Sequence, residues 1–117
     1  MFDVERTDAM VKIVVLYGHP SDPAAFENYY ANNHRPLVAK VPNLQRFEAG
    51  RIIGTPDGSE ASFYRVAELW FNGQEELQAA MSSPEGQETA GDLPNFATGG
   101  ATVLIAEYSA SEAIGRR

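Results

Sequence analysis

The chain has no cysteine. Disulfides, thiolate metal ligands and thiol nucleophiles are therefore excluded together, and a reducing, cytoplasmic location is the expectation. Histidine is nearly as scarce, with His19 and His34 the only two. Neither has a second ligand at a recognisable local spacing, so no metal site is expected. Long apolar runs are missing, which argues against a membrane span, and so is a basic segment followed by an apolar run and a small-residue cleavage site, which argues against secretion by a standard leader. Cations are few: nine Lys and Arg stand against 16 Asp and Glu, for a formal charge of −7. They are scattered rather than gathered in a stripe, so a nucleic-acid partner is not expected. There is no phosphate-binding glycine loop, no G-x-G-x-x-G segment opening a helix after a strand and no G-x-S-x-G elbow, so no cofactor is expected.

What remains is the composition of one globular domain: 117 residues, 44% of them hydrophobic and 21% charged. Residues 1–9 are charged and aperiodic and read as a flexible lead-in. "VKIVVLYG" (Val11 to Gly18) is rich in β-branched residues and stops at a glycine, the mark of a strand. Asp22 then Pro23 signals a helix start, with a carboxylate to accept an orphan N–H and a proline where no donor is lost. The helix should run through "AAFENYYANNH" and present Phe26, Tyr29, Tyr30 and Asn33 on one side. Pro36 places a break next to His34, before a further helical turn in "PLVAKV".

A second strand is expected over Leu44 to Gly54, with Gly50 as a bulge, then a hairpin-like connection and a third strand, Phe63 to Phe71. Asn72 and Glu75 have capping-box spacing for a second helix, whose apolar stripe is Leu77, Ala80 and Met81. "PEGQETAGDLPNFATGG" should hold another turn or two of helix and a loop, and Ala101 to Ser109 a fourth strand. Residues 110–117 form a polar tail. Strand, helix, strand, strand, helix, strand is the ferredoxin-like α+β arrangement, a four-stranded antiparallel sheet with helices on one face. On the third strand Ala67, Leu69 and Phe71 would face the helices, leaving Tyr64, Val66, Glu68 and Trp70 on a bare face too apolar for water. A second copy of the chain is the expected cover, making a homodimer and a dimeric α+β barrel.

Several separated segments, "DPAAFENYYANNHRPLVAKVPNL", "ELWF", "SSPEGQETAGDLPNFATGG" and "TVLIAEY", together resemble the EthD family, named after a protein encoded beside an alkyl-ether-degrading oxygenase. The resemblance spans residues 10–109 and implies a dimeric α+β barrel of ferredoxin-like subunits. Many members are labelled reductases or carry only a domain label, while a related methylmuconolactone methylisomerase works on a small lactone without a cofactor. One departure is Pro42-Asn43, where the family often has Pro-Gly; asparagine tolerates positive φ, so the turn should survive. The family's histidine falls on His34, and the aspartate and phenylalanine of its late motif on Asp92 and Phe96.

His34 is the candidate proton-transfer group, since its charge changes near neutral pH, and Asp92 is a carboxylate able to fix its tautomer. Against this, His34 could bond a carbonyl at the kink and Asp92 could tie down its loop. Tyr30, four residues before His34, and Tyr17, closing the first strand, are candidates to orient a ligand; Phe47, Trp70 and Phe96 are candidate apolar walls, each otherwise core or interface. Glu68 and Glu107 are either partly buried acids or rim residues, and His19 is an exposed loop residue. The reading is a cofactor-independent isomerase, cyclase or oxidoreductase acting by proton transfer on a small cyclic or aromatic metabolite, in catabolism or biosynthesis. The alternatives are a non-catalytic small-molecule carrier beside an oxygenase and a purely structural dimer.

Overall fold

A computed structural model describes residues 10–115. The lead-in expected at residues 1–9 and the last two residues of the tail lie outside them. Four strands, β1 (Met10–Tyr17), β2 (Arg46–Arg51), β3 (Arg65–Phe71) and β4 (Ala101–Tyr108), form one sheet in the order β2-β3-β1-β4 with every neighbouring pair antiparallel. Helices α1 (Pro23–Tyr29), α2 (Arg35–Val38), α3 (Gln74–Ser82) and α4 (Pro84–Gly91) fill the two connections that lead from β1 to β2 and from β3 to β4. The architecture is ferredoxin-like α+β. Short 3₁₀ turns follow α4 (Leu93–Asn95) and β4 (Ala110–Glu112).

The core follows the two-residue period of the central strands. Val11, Ile13, Val15 and Tyr17 of β1 and Ala67, Leu69 and Phe71 of β3 are all buried. Register holds them opposite one another, with Ile13 across from Leu69 and Val15 across from Ala67. Helix residues Phe26, Tyr30, Val38, Leu77 and Ala80 complete the cluster. Leu77 is fully buried, and truncating such a side chain to alanine costs about 2–5 kcal/mol in cavity and transfer terms.

Local chemistry sets the ends. Asp22 caps α1, its Oδ1 accepting from Ala25 N–H at 3.1 Å, with Pro23 in the first turn as expected. Asn43 adopts φ 65°, the left-handed turn in which the resemblance often places glycine. The cap of α3 is Gly73 and no side chain caps it, so the expected Asn72–Glu75 box does not form. Gly50 is no bulge: it pairs with Val66 in an unbroken ladder. Tyr64 lies outside β3 and turns toward α1, its ring 5.2 Å from that of Phe26 and its hydroxyl donating to Glu27 at 2.6 Å, not onto the bare face. Between α3 and α4 the chain kinks at Ser83, and a Cβ on Gly86 would lie 2.0 Å from the Ala80 carbonyl oxygen, so the close helix approach needs glycine there.

The helix-free face carries an ion pair that periodicity did not reveal. Lys12 is buried, 5% exposed, with Nζ 2.5 Å from Glu68 Oε2 and 4.2 and 4.7 Å from the ring centres of Tyr108 and Trp70. Burial alone would lower its pKa; hydrogen bonds to Glu68 and Tyr108 outweigh that and raise it, so the ammonium stays charged. Edge strand β4 is half-exposed on both faces, at Val103, Leu104 and Ile105. Among the described residues no helix is long and apolar enough to cross a membrane.

Candidate functional site

The helix does not stop at His34. It passes from α1 through a π-helical segment, Tyr30–His34, straight into α2, and Arg35 keeps a right-handed helical conformation (φ −56°, ψ −40°) despite preceding Pro36. Proline has no N–H and its ring crowds the carbonyl four residues back, so a regular α-helix would break or kink there. The chain instead inserts an extra residue in the turn, with Arg35 N–H bonded to the Tyr30 carbonyl five residues earlier.

That register aligns residues five apart. Tyr29 and His34, which diverge on a 3.6-residue helix, both reach the carboxylate of Asp92 at the end of α4. Tyr29 Oη donates to Oδ1 at 2.6 Å, Asn95 Nδ2 donates to the same oxygen at 2.9 Å, and His34 Nδ1 lies 2.9 Å from Oδ2. His34 and Asp92 are 3% and 8% exposed. Burial would push the Asp92 pKa up, but the hydrogen bonds from Tyr29, Asn95 and His34 outweigh it and hold the carboxyl below its ordinary value. Burial lowers the His34 pKa, with the Asp92 bond opposing. At neutral pH the pair is thus a carboxylate and a neutral imidazole. An ionised carboxylate only accepts, so Nδ1 carries the proton and Nε2 keeps its lone pair, with no hydrogen bond of its own among the described residues.

His34 opens onto a cavity of about 90 Å³ between helices and sheet. Ile13, Val15, Ala67 and Leu69 of the sheet line one side, with Phe47 and the half-exposed Val103 from the outer strands. Tyr17, Tyr30, Val38, Met81 and Leu93 are further walls, and among the described residues no lysine or arginine lines it. The Tyr30 hydroxyl is buried with no hydrogen-bond partner among the described residues. Burial raises its pKa to about 12, against the opposing charge of Arg65, so it remains a donor; burial drives Tyr17 higher still.

Of the residues singled out in the sequence, Tyr17, Tyr30, His34 and Phe47 meet at the cavity. Asp92 and Phe96 stand behind it, the Phe96 ring 4.7 Å from that of His34 and stacked on Tyr29 at 5.4 Å. Trp70 is not in the site: it lies across the sheet, against Lys12 and Arg46. Its place follows from the strand's alternation, since Leu69 and Phe71 point to the helices. Tyr29 and Asn95 were missed as site residues, because a 3.6-residue period separates Tyr29 from His34 and Asn95 becomes a donor only through its short 3₁₀ turn. Of the acids left open, Glu68 pairs with Lys12 and Glu107 is exposed. His19 is exposed, with Nε2 2.8 Å from the Ala61 carbonyl oxygen. Among the described residues no three His, Asp or Glu side chains converge as metal ligands.

The EthD domain family model matches residues 19–100. An uncharacterised 11.0 kDa protein from the thcB–thcC intergenic region of Rhodococcus erythropolis is 43% identical over 98 residues, covering 84% of this chain and 94% of that one. A solved ethyl tert-butyl ether D (EthD) family protein from Bacillus halodurans is 39% identical, with a TM-score of 0.78 over 83% of this chain and 96% of its own. A dimeric ferredoxin-like protein of unknown function from Bacteroides fragilis shares the fold at 15% identity and a TM-score of 0.60, over 85% and 96% of the two chains. By domain match and by sequence identity along most of its length, this chain belongs to the EthD family.

Proposed function

We propose that the protein is a cofactor-independent enzyme that moves a proton on a small cyclic or aromatic molecule held in the cavity, with His34 Nε2 as the base. The observation that carries this reading is the His34–Asp92 bond, which fixes the tautomer and leaves an imidazole lone pair on an otherwise apolar cavity, while burial keeps that imidazole neutral at the pH where a base is needed. Asp92 is a positioning residue that holds the tautomer and stabilises the imidazolium formed when the proton arrives. Tyr29 and Asn95 fix the carboxylate in turn. Two proteins sharing the fold are named as enzymes, a cofactor-independent oxygenase from Streptomyces nogalater (17% identical, TM-score 0.59) and a hydroxynitrile lyase from Passiflora edulis (14%, 0.67). At that identity they speak for the fold alone.

The working form is a homodimer in this proposal. A second copy would cover the helix-free face at Tyr108 and the exposed Leu104, and would close the cavity near Val103. Dimeric proteins of the same fold support this. Multi-angle light scattering showing a monomer at micromolar concentration would remove the dimer from the scheme. The reaction is tested by a thermal-shift screen of lactones, quinones and aromatic carbonyls. Each binder is then incubated in D₂O with wild type and His34→Ala, and product and deuterium uptake are followed. Uptake or turnover should depend on His34; binding without either, in wild type and variant alike, leaves a carrier instead of an enzyme.

A further inference from the structure

We infer a further activity of the cavity, distinct from the proton transfer proposed above: His34 Nε2 acts as a nucleophile and hydrolyses esters of acidic phenols. The chain offers that role few rivals, since it has no cysteine and its only lysines are Lys12 and Lys40. Lys12 is buried as an ammonium against Glu68 and has no lone pair to give, and Lys40 is exposed and outside the cavity lining. His19 is exposed too, with Nε2 2.8 Å from the Ala61 carbonyl oxygen, and among the described residues no carboxylate meets its ring. His34 differs on each count. Its Nδ1 lies 2.9 Å from the ionised Asp92, which turns the Nε2 lone pair to the cavity and pairs with the positive charge that attack on a carbonyl carbon creates on the ring. Nε2 is open to that space: among the described residues, the side-chain atoms both unpaired and sealed from contact are Tyr30 Oη and Arg65 Nε. Around it Val38, Leu93 and the Tyr30 ring, 5.7 Å away centre to centre, give an aryl group an apolar surface to rest on.

Attack forms a bond from Nε2 to the acyl carbon and breaks the bond from that carbon to the phenolic oxygen, which leaves as an aryloxide with the electron pair. The acylated ring keeps its Nδ1 proton on Asp92 and carries its positive charge beside the carboxylate. Water then adds to the acyl carbon, the C–N bond breaks with its pair returning to Nε2, and one proton passes to solvent as the carboxylic acid departs. No oxidant or reductant enters. A neutral imidazole is expelled from the tetrahedral adduct more readily than an alkoxide, so alkyl esters revert and only esters with a good leaving group go forward.

Hydrolysis of p-nitrophenyl acetate by the whole protein at pH 7 tests this, with nitrophenolate release followed by absorbance and 4-methylimidazole as the reference nucleophile. Mole for mole the wild type should react at least about tenfold faster than 4-methylimidazole, the gain from holding the ester beside an oriented ring. His34→Ala and His34→Gln, each checked for folding by thermal unfolding, should lose about nine-tenths of the rate, whereas His19→Ala should stay within about twofold of wild type. Asp92→Asn, which moves the ring proton to Nε2, should slow the reaction about fivefold or more. A wild type no faster than 4-methylimidazole overturns the inference without any variant, and so does a rate that survives the loss of His34 or falls with His19. Ester hydrolysis through His34 with no deuterium uptake by any bound ligand in D₂O would defeat the proton-transfer reading and leave this activity standing; the reverse result would keep the base and remove the nucleophile.

Discussion

Replacing Asp92 by asparagine changes one atom and should invert the polarity of the site. The carboxylate accepts from Tyr29, Asn95 and His34. An amide can keep its oxygen toward Tyr29 and Asn95, but its NH₂ then faces His34 Nδ1. The imidazole relieves that clash of donors by moving its proton to Nε2, so the atom on the cavity changes from base to donor. Hydrogen bonds to a charged group exceed neutral ones by roughly 1 kcal/mol each, and relief of the buried charge returns part of the loss. The expected destabilisation is about 2 kcal/mol, or about 8 °C in Tm for a domain of this size. Urea and thermal unfolding measure the stability, and long-range ¹H–¹⁵N correlation spectra of the imidazole report which nitrogen is protonated. Any turnover found by the ligand screen should fall about a hundredfold or more. An Asp92→Asn protein that still carries its proton on Nδ1, or that unfolds with wild-type stability, would refute the account of the pair.

His34 also predicts a pH dependence. Its folded pKa lies below the ordinary 6.5, so as the pH falls the unfolded chain takes up the proton first. The neutral ring's contribution is complete above 6.5 and is lost as the pH drops from there through the folded value. His34→Gln should flatten the urea midpoint across that window, leaving the separate loss from Asp92 at lower, carboxylate pH; an unchanged slope would contradict the burial argument. Asn43→Ala should cost about 1 kcal/mol or more for a left-handed alanine plus the lost bond from Nδ2 to the Glu76 carbonyl, while Asn43→Gly should stay closer to wild type, and equal effects in chemical denaturation would count against a conformational role. Gly86→Ala should destabilise by about 1–3 kcal/mol, because its methyl would strike the Ala80 carbonyl and part α3 from α4; a wild-type Tm would be the contrary result.

Reading by period succeeded where the physics is local. Alternation placed Ala67, Leu69 and Phe71 inward, and Asp22-Pro23 marked the start of α1. It failed where two local rules competed. Pro36 read as a stop, yet the packed helix absorbs it as a π turn, and the same turn hides the kinship of Tyr29 with His34. Lys12 read as one more strand residue, although Glu68 and two aromatic rings hold it buried.

By itself the sequence determined the order of elements, the inward faces of the central strands and the absence of thiol chemistry, because each depends on neighbouring residues or on composition alone. Only the tertiary structure decided that His34 meets a carboxylate 58 residues away, and that the Tyr30 hydroxyl is left without a partner among the described residues. Such pairings are set by how helices settle on a twisted sheet, and no short-range pattern of side chains encodes that distance.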